Sequence, residues 1–138
     1  TQKLPGVPPG GGAFADVREV AAAHIAAFHN GESGANYLLG GEDVSFLELI
    51  RIAGELLNKP VPDRASPAWQ LRLAGRIGDV VSRFTGRAPD ITPEGAAMIT
   101  RHIHCDSSRA QEALGYRFTP VRTLLRDTCE WLQGKGLL

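Results

Sequence analysis

The chain has 138 residues, in which 15 basic residues balance 15 acidic ones and the sequence pI is about 6.8. This length suits a single domain, and the neutral charge disfavours a nucleic-acid partner. No apolar run approaches the roughly 18 to 20 residues of a membrane span, and no signal segment opens the chain. The two cysteines, Cys105 and Cys129, match no metal-ligand spacing. We therefore expect reduced thiols, a cytoplasmic location and no membrane partner.

The first predicted elements are a loop, a strand, a helix and a second strand. Residues 1–13 are rich in proline and glycine, as an exposed loop or linker would be, and a strand lies at Phe14. Apolar side chains at helical spacing predict a helix over 16–30, with His24 as a hydrogen-bonded core histidine. The apolar run at 37–39, which two glycines end, predicts a short strand.

A capping box predicts the second helix. The Ser45 hydroxyl is expected to accept a hydrogen bond from a free backbone N–H while the Glu48 carboxylate reaches back, which opens a helix over 46–58. The Lys-Pro-Val-Pro run at 59–62 ends this helix, because proline cannot continue it.

The third predicted helix is long. Ser66, followed by proline, is expected to cap a helix that runs towards residue 85. Gly75 and Gly78 lie inside it at a cost of about 1 kcal/mol each relative to alanine, so either the helix breaks there or another element packs closely. Three arginines share the opposite face: Arg72, Arg76 and Arg83. We interpret them as a solvated face, with phosphate or membrane binding as the alternative.

The rest of the chain alternates capping signals with apolar segments. Thr92, followed by proline, opens a helix through about residue 101, and 103–105 is a strand candidate. The Asp-Ser-Ser run at 106–108 caps a helix that stops at Gly115, and Thr119, again followed by proline, opens the last helix. Helices should occupy somewhat more than half of the chain. The predicted fold is therefore mixed α/β, mostly helical with a few short strands.

Two histidines are the best metal-ligand candidates. His102 and His104 share one face of the predicted strand, where a metal ion could use both. No third ligand has a suitable spacing in the sequence. We therefore predict no metal site and no catalytic residue, and we assign Asp16 and Glu19 to capping the first helix rather than to acid–base chemistry.

Three stretches form a characteristic set by their order and spacing: Asp-Val-Arg-Glu-Val-Ala-Ala-Ala-His at 16–24, Tyr-Leu-Leu-Gly-Gly-Glu-Asp-Val-Ser-Phe-Leu-Glu-Leu at 37–49, and Asp-Ser-Ser-Arg-Ala with Leu-Gly-Tyr at 106–116. Together they resemble the extended short-chain dehydrogenase/reductase superfamily, the NAD-dependent epimerase/dehydratase group, and within it the dihydroflavonol-reductase-like members. The resemblance covers nearly the whole chain. It implies the C-terminal substrate-binding lobe of a Rossmann-type enzyme whose Rossmann core is missing here.

Two motifs of that family are absent from the chain. One is the G-x-x-G-x-x-G fingerprint that holds the pyrophosphate of the dinucleotide. The other is the catalytic Tyr-x-x-x-Lys, since neither Tyr37 nor Tyr116 is followed four residues on by lysine. The chain alone is therefore expected to bind no cofactor and to be inactive. The resemblance implies that NAD or NADP is bound by an N-terminal Rossmann domain of the full-length enzyme.

The resemblance also divides the chain into three parts. Residues 1–13 are the loop, 14–41 are a strand-helix-strand unit that would pack on the missing Rossmann domain, and 42–138 are the helical substrate-binding lobe. Without that domain the exposed apolar surface favours a homodimer or aggregation. Seven residues are candidates for the pocket that holds a small-molecule substrate: Phe14, Asp16, Arg18, Trp69, Met98, Arg101 and His102.

The resemblance leaves the substrate open among a carbonyl compound, a hydroxyl compound and a sugar. Nucleotide-sugar epimerases and dehydratases carry an Arg-x-Gly-Asp-like element where this chain reads Ile-Thr-Arg-His-Ile at 99–103. Arg101 stands there without the other residues of the element, which favours a neutral substrate. Two further hypotheses are a non-catalytic binding or assembly module of the same fold and an independent helical domain.

Overall fold

The computed structural model describes residues 6–86 and 92–138, which form a small sheet surrounded by helices. The elements in chain order are β1 (Gly11–Phe14), α1 (Val17–Asn30), β2 (Glu42–Ser45), α2 (Phe46–Leu56), α3 (Ala68–Thr85), α4 (Pro93–Ile99), β3 (His102–Ile103), α5 (Ser108–Leu114) and α6 (Val121–Gly134). The prediction of a mostly helical α/β chain with short strands is confirmed.

The sheet has the order β2-β1-β3, so β1 is its central strand. β1 pairs antiparallel with β2, with Gly11 opposite Ser45 and Phe14 opposite Glu42. It pairs parallel with β3, with Gly11 opposite His102. Segments that are far apart in the sequence therefore meet on either side of β1.

Helix α1 packs through its small residues. Asp16 caps it by accepting a hydrogen bond from the Arg18 backbone N–H at 2.7 Å. Ala23 is buried with Ala110 and Tyr116 in a compact cluster, because alanine lets the α1 and α5 backbones approach closely. The opposite side of α1 carries large apolar side chains that are exposed: Val17 by 78%, Ile25 by 64% and Phe28 by 86%.

The predicted position of His24 is therefore wrong in one respect. The ring nitrogen Nδ1 lies 2.7 Å from the Val20 carbonyl oxygen, so the hydrogen bond is present, but the side chain is exposed. The helical stripe of large apolar residues and the buried face of α1 are two different faces.

The predicted strand at 37–39 is also wrong, since this segment has no strand pairing. Tyr37 and Leu39 instead pack as side chains against the Ala23 cluster. The following turn is fixed by Ser107, whose hydroxyl accepts from the Gly40 N–H at 2.8 Å and donates to the Gly40 carbonyl at 3.1 Å. A strand needs a neighbouring backbone for its hydrogen bonds, and β1 already pairs with β2 and β3.

Several predicted helix ends are confirmed by their hydrogen bonds. The Ser45 hydroxyl accepts from the Glu48 N–H at 3.1 Å, and the Thr92 hydroxyl accepts from the Gly95 N–H at 3.0 Å. Gly115 ends α5 in the left-handed conformation, with φ of 65°. Helix α4 ends at Ile99, two residues before the predicted end.

Two predicted N-caps are wrong. Pro67 rather than Ser66 precedes α3, and it makes no side-chain cap; the Ser66 N–H donates to the Val7 carbonyl at 2.7 Å. At the start of α6, Thr119 donates its N–H and its hydroxyl to the Glu19 carboxylate, at 3.1 and 2.5 Å. The first turn of α6 is instead capped by Glu42, which accepts from the Val121 N–H at 2.6 Å.

Helix α3 is not broken at its glycines, and at Gly75 a neighbouring helix packs closely instead. A Cβ at this position would lie 3.2 Å from the Ala96 Cβ and 3.2 Å from the Pro93 Cα, so the missing side chain lets α4 pack closely against α3. Of the predicted arginine face, Arg72 and Arg76 are exposed, and the Arg83 side chain lies outside the described part of the structure.

Candidate functional site

The seven predicted pocket residues fall on three separate parts of the surface. Phe14, at the end of β1, packs edge-to-face against Phe46, with ring centroids 6.1 Å apart and an interplanar angle of 74°. Asp16 and Arg18 lie at the start of α1. The remaining four lie on or beside α3, α4 and β3: Trp69, Met98, Arg101 and His102.

Asp16 and Arg18 line an open groove of about 540 Å³ between the start of α1 and the face of α6. The Arg18 guanidinium donates to the Asp16 carboxylate at 2.5 Å and to the Asp127 carboxylate at 3.1 Å. It thereby ties α1 to α6. The floor of the groove also includes the side chains of Leu124 and Trp131.

The chemistry of Asp16 is that of a capping anion. Hydrogen bonds from the Arg18 side chain and backbone lower the pKa of Asp16 to about 2, with burial as an opposing effect. A carboxyl with so low a pKa stays ionised at neutral pH and is a poor general acid or base. The sequence-based assignment of Asp16 to helix capping agrees with this geometry.

The Asp16 cap gives a pH-dependent prediction. Because the pKa falls from 3.8 to about 2 on folding, the ionised group stabilises the folded state above about pH 5, and this contribution is lost as the pH falls towards 2. Asp16→Asn removes the charge and keeps a good capping side chain. We expect it to lower the urea midpoint at about pH 7 and to match the parent chain near pH 2.

The matched control is Asp63→Asn, since Asp63 is exposed. Its urea midpoint should follow that of the parent chain at both pH values. If Asp16→Asn lowers the urea midpoint near pH 2 as much as it does at about pH 7, the charge of Asp16 does not stabilise the folded state.

An exposed apolar stripe lies along α3. Trp69, Leu73 and Ile77 are spaced by four residues and are 63%, 48% and 54% exposed. This spacing places them along one side of the helix. Met98, on the adjacent helix α4, is 65% exposed. Large apolar side chains that share a surface in this way are typical of binding sites for an apolar ligand or partner.

His102 also belongs to a cluster of three polar side chains, which consists of Asp43, His102 and His104. His102 Nε2 and His104 Nδ1 are hydrogen-bonded to different oxygens of the Asp43 carboxylate. The two imidazole rings stack with centroids 4.7 Å apart and an interplanar angle of 29°. The hydrogen bond from His102 is the largest cause that lowers the pKa of Asp43, followed by an opposing effect of burial and then by the bond from His104.

Asp43 is the residue that the sequence analysis missed. It lies on β2, 59 and 61 residues before the two histidines, so no local spacing connects it to them. Only the sheet order β2-β1-β3 brings the carboxylate to the histidines. The structure thus places a carboxylate beside His102 and His104 that no spacing in the sequence indicates.

Comparisons with known proteins show that the chain is similar to parts of longer curated proteins. No protein-family model matches it. A Synechocystis sp. protein named for dihydroflavonol 4-reductase is 28% identical over 125 residues, which cover 88% of this chain and 36% of that protein. Sterol demethylase protein B of Methylococcus capsulatus is 26% identical over 132 residues, which cover 94% of this chain and 40% of that protein.

One solved structure shares the fold. The crystal structure of gox2253 superposes with a TM-score of 0.79 and 26% sequence identity, over 98% of this chain and 41% of that one. The chain thus spans 36% to 40% of the length of the two curated relatives, and its fold corresponds to part of a larger one. None of the helices in the described residues is both long enough and apolar enough to cross a membrane.

Proposed function

We propose that the chain is the C-terminal substrate-binding part of an NAD(P)-dependent reductase of the dihydroflavonol-reductase-like kind. The observation that carries this proposal is the similarity of nearly the whole chain to about a third of a protein named for such a reductase. The substrate is a neutral, mainly apolar molecule with a carbonyl or hydroxyl group. The chain shapes the pocket that orients this group near the nicotinamide.

The motifs that this chain lacks indicate which roles fall to another part of the proposed enzyme. When bound, a reduced nicotinamide would supply a hydride to a substrate carbonyl, and a nearby acid would supply the proton. The chain contains neither the G-x-x-G-x-x-G fingerprint nor a Tyr-x-x-x-Lys pair. In the proposed enzyme the dinucleotide and the proton donor belong to a Rossmann domain outside these 138 residues, and this chain provides the substrate contacts.

The apolar stripe on α3 supports a neutral substrate. Trp69, Leu73 and Ile77 offer an apolar surface at which the rings or chains of a substrate would lose contact with water. The names of both curated relatives refer to polycyclic compounds, a dihydroflavonol and a sterol. Arg101 stands where nucleotide-sugar epimerases carry the arginine of their Arg-x-Gly-Asp-like element, but the other residues of that element are absent here, which also favours a neutral substrate.

The exposed stripe on α1 supports a Rossmann domain as the partner of this lobe. Val17, Ile25 and Phe28 are among the most exposed large apolar side chains of the described residues, and Leu38 in the following segment is 60% exposed. A surface of this kind is costly in water and is normally covered. The relatives are long enough to contain the domain that would cover it.

Two single substitutions in the full-length enzyme test the substrate class. Trp69→Ala should raise the Michaelis constant for a polycyclic carbonyl substrate by about 10-fold, because burying a large apolar side chain against the substrate contributes roughly 1.5 to 3 kcal/mol. Arg101→Ala should change it by less than about 2-fold, since a neutral substrate offers no charge for the guanidinium. The assay is the loss of NADPH or NADH absorbance with substrate varied.

The control for both variants is the thermal midpoint, which should stay near that of the parent enzyme because Trp69 and Arg101 are exposed. An increase of 10- to 100-fold in the Michaelis constant for Arg101→Ala, the loss expected for one charge-assisted hydrogen bond, would favour an anionic substrate such as a nucleotide sugar. A reading frame upstream of Thr1 with degenerate cofactor and catalytic motifs would instead favour a non-catalytic binding module.

A further inference from the structure

We propose that Asp43, His102 and His104 form a binding site for a single Zn²⁺ ion, which connects the two outer strands of the sheet. The proposal is independent of the reductase activity, since it rests on residues of β2 and β3 and the loop after β3. Each of the three residues offers one ligand atom, and these atoms lie within 4.8 Å of one another.

The sheet register places the three side chains together. β1 lies between β2 and β3, and Asp43 is opposite Ala13 on β1 while His102 is opposite Gly11. Positions 11 and 13 are on the same face of β1, because side chains alternate along a strand. The carboxylate and the imidazoles therefore converge over the central strand from its two sides.

Gly11 leaves the room that this convergence needs. A Cβ at Gly11 would lie 2.5 Å from the Val44 carbonyl oxygen and 2.7 Å from both Cε1 and Nδ1 of the His102 ring, all closer than real Cβ contacts. The other β1 residue on this face, Ala13, has the smallest side chain after glycine. A larger residue at either position would fill the space in which the ligand atoms meet.

The donor set selects the metal. Two imidazole nitrogens and one carboxylate oxygen suit Zn²⁺, which binds such ligands at about 2.0 to 2.2 Å. Ca²⁺ and Mg²⁺ prefer oxygen ligands alone. The nitrogens that would bind the ion are those already hydrogen-bonded to Asp43, so the ion would replace these hydrogen bonds. Because the three side chains are partly exposed, water or another small ligand completes the coordination.

The consequence is a link between distant parts of the chain. Asp43 and the histidines are 59 and 61 residues apart, so an ion bound to all three closes a long loop and stabilises the folded state over the unfolded one. Zn²⁺ should raise the thermal midpoint as its concentration exceeds the dissociation constant.

Titration of the metal-free protein with Zn²⁺ tests the site. We expect one equivalent to bind by calorimetry, with a rise in the thermal midpoint. Co²⁺ used as a probe should give the intense visible absorption of a four-coordinate ion. His104→Gln and Asp43→Asn should each weaken Zn²⁺ binding by at least about 10-fold. His104 has a side chain that is 79% exposed, so its replacement should leave the circular dichroism spectrum unchanged.

His29→Gln is the matched control, because His29 is an exposed histidine at the end of α1, outside the cluster. It should bind Zn²⁺ as the parent protein does. Three results would overturn the proposal: absence of binding by the parent protein, binding that survives both cluster substitutions, or an equal loss in His29→Gln, which would mean adventitious binding to surface histidines. If a folded Asp43→Asn variant binds Zn²⁺ with full affinity, the Asp43 carboxylate is not a ligand and the proposed three-residue site is wrong.

Discussion

The 138-residue chain by itself is expected to bind NAD(H) and NADP(H) at least about 100-fold more weakly than the proposed full-length enzyme does. Dinucleotides are held by a glycine-rich turn that opens a helix, so that backbone N–H groups point at the pyrophosphate. The chain has two Gly-x-x-Gly pairs, but neither is in this position. Gly31 and Gly34 follow the end of α1, and Gly75 and Gly78 lie inside α3.

Calorimetry with each cofactor measures this difference, on the 138-residue chain and on the protein extended to the length of its relatives. Mass spectrometry of the same samples controls for contamination with longer protein. Micromolar binding by a sample that contains residues 1–138 alone would place the cofactor site within this chain and refute the proposed division of labour.

The elements that could be predicted from the sequence are those fixed by neighbours in the chain. Asp16, Ser45 and Thr92 cap their helices through N–H groups two or three residues away. Gly115 ends its helix because its own backbone adopts a positive φ. Such local hydrogen bonds and dihedral preferences can be inferred wherever the residue occurs, which is why most helix boundaries agree within two residues.

The features that could not be predicted depend on which element packs against which. On α1 the contact with α5 uses Ala23 and Ala110, small residues that no stripe of large apolar side chains marks. Asp43 gave no signal in the sequence, because the two histidines that it contacts lie 59 and 61 residues further along the chain. The run at 37–39 has the composition of a strand, yet strand formation also needs an unpaired backbone beside it. In each case, contacts between segments that are distant in the sequence determined the observed structure.

The exposed stripe on α1 leads to the second large effect, which concerns self-association of the isolated chain. If the proposed Rossmann domain covers Val17, Ile25 and Phe28 in the full-length enzyme, two copies of the isolated chain are expected to bury these side chains against each other. The double substitution Ile25→Ser and Phe28→Ser should weaken this association by at least about 100-fold, a loss of about 2.7 kcal/mol, which is within the range for removing two buried apolar side chains. Serine has nearly the same helix propensity as the residues it replaces, so α1 should persist.

Sedimentation equilibrium over a wide concentration range measures the association constant of the parent chain and the variants. The control carries Leu137→Ser and Leu138→Ser, which also remove two exposed apolar side chains but lie at the opposite end of the chain from α1. Its association should match that of the parent chain. In the full-length enzyme the α1 substitutions should instead lower the thermal midpoint, because the same side chains would there face the Rossmann domain. A parent chain that is monomeric at every concentration, together with a full-length enzyme unaffected by the α1 substitutions, would show that this stripe has no partner of either kind.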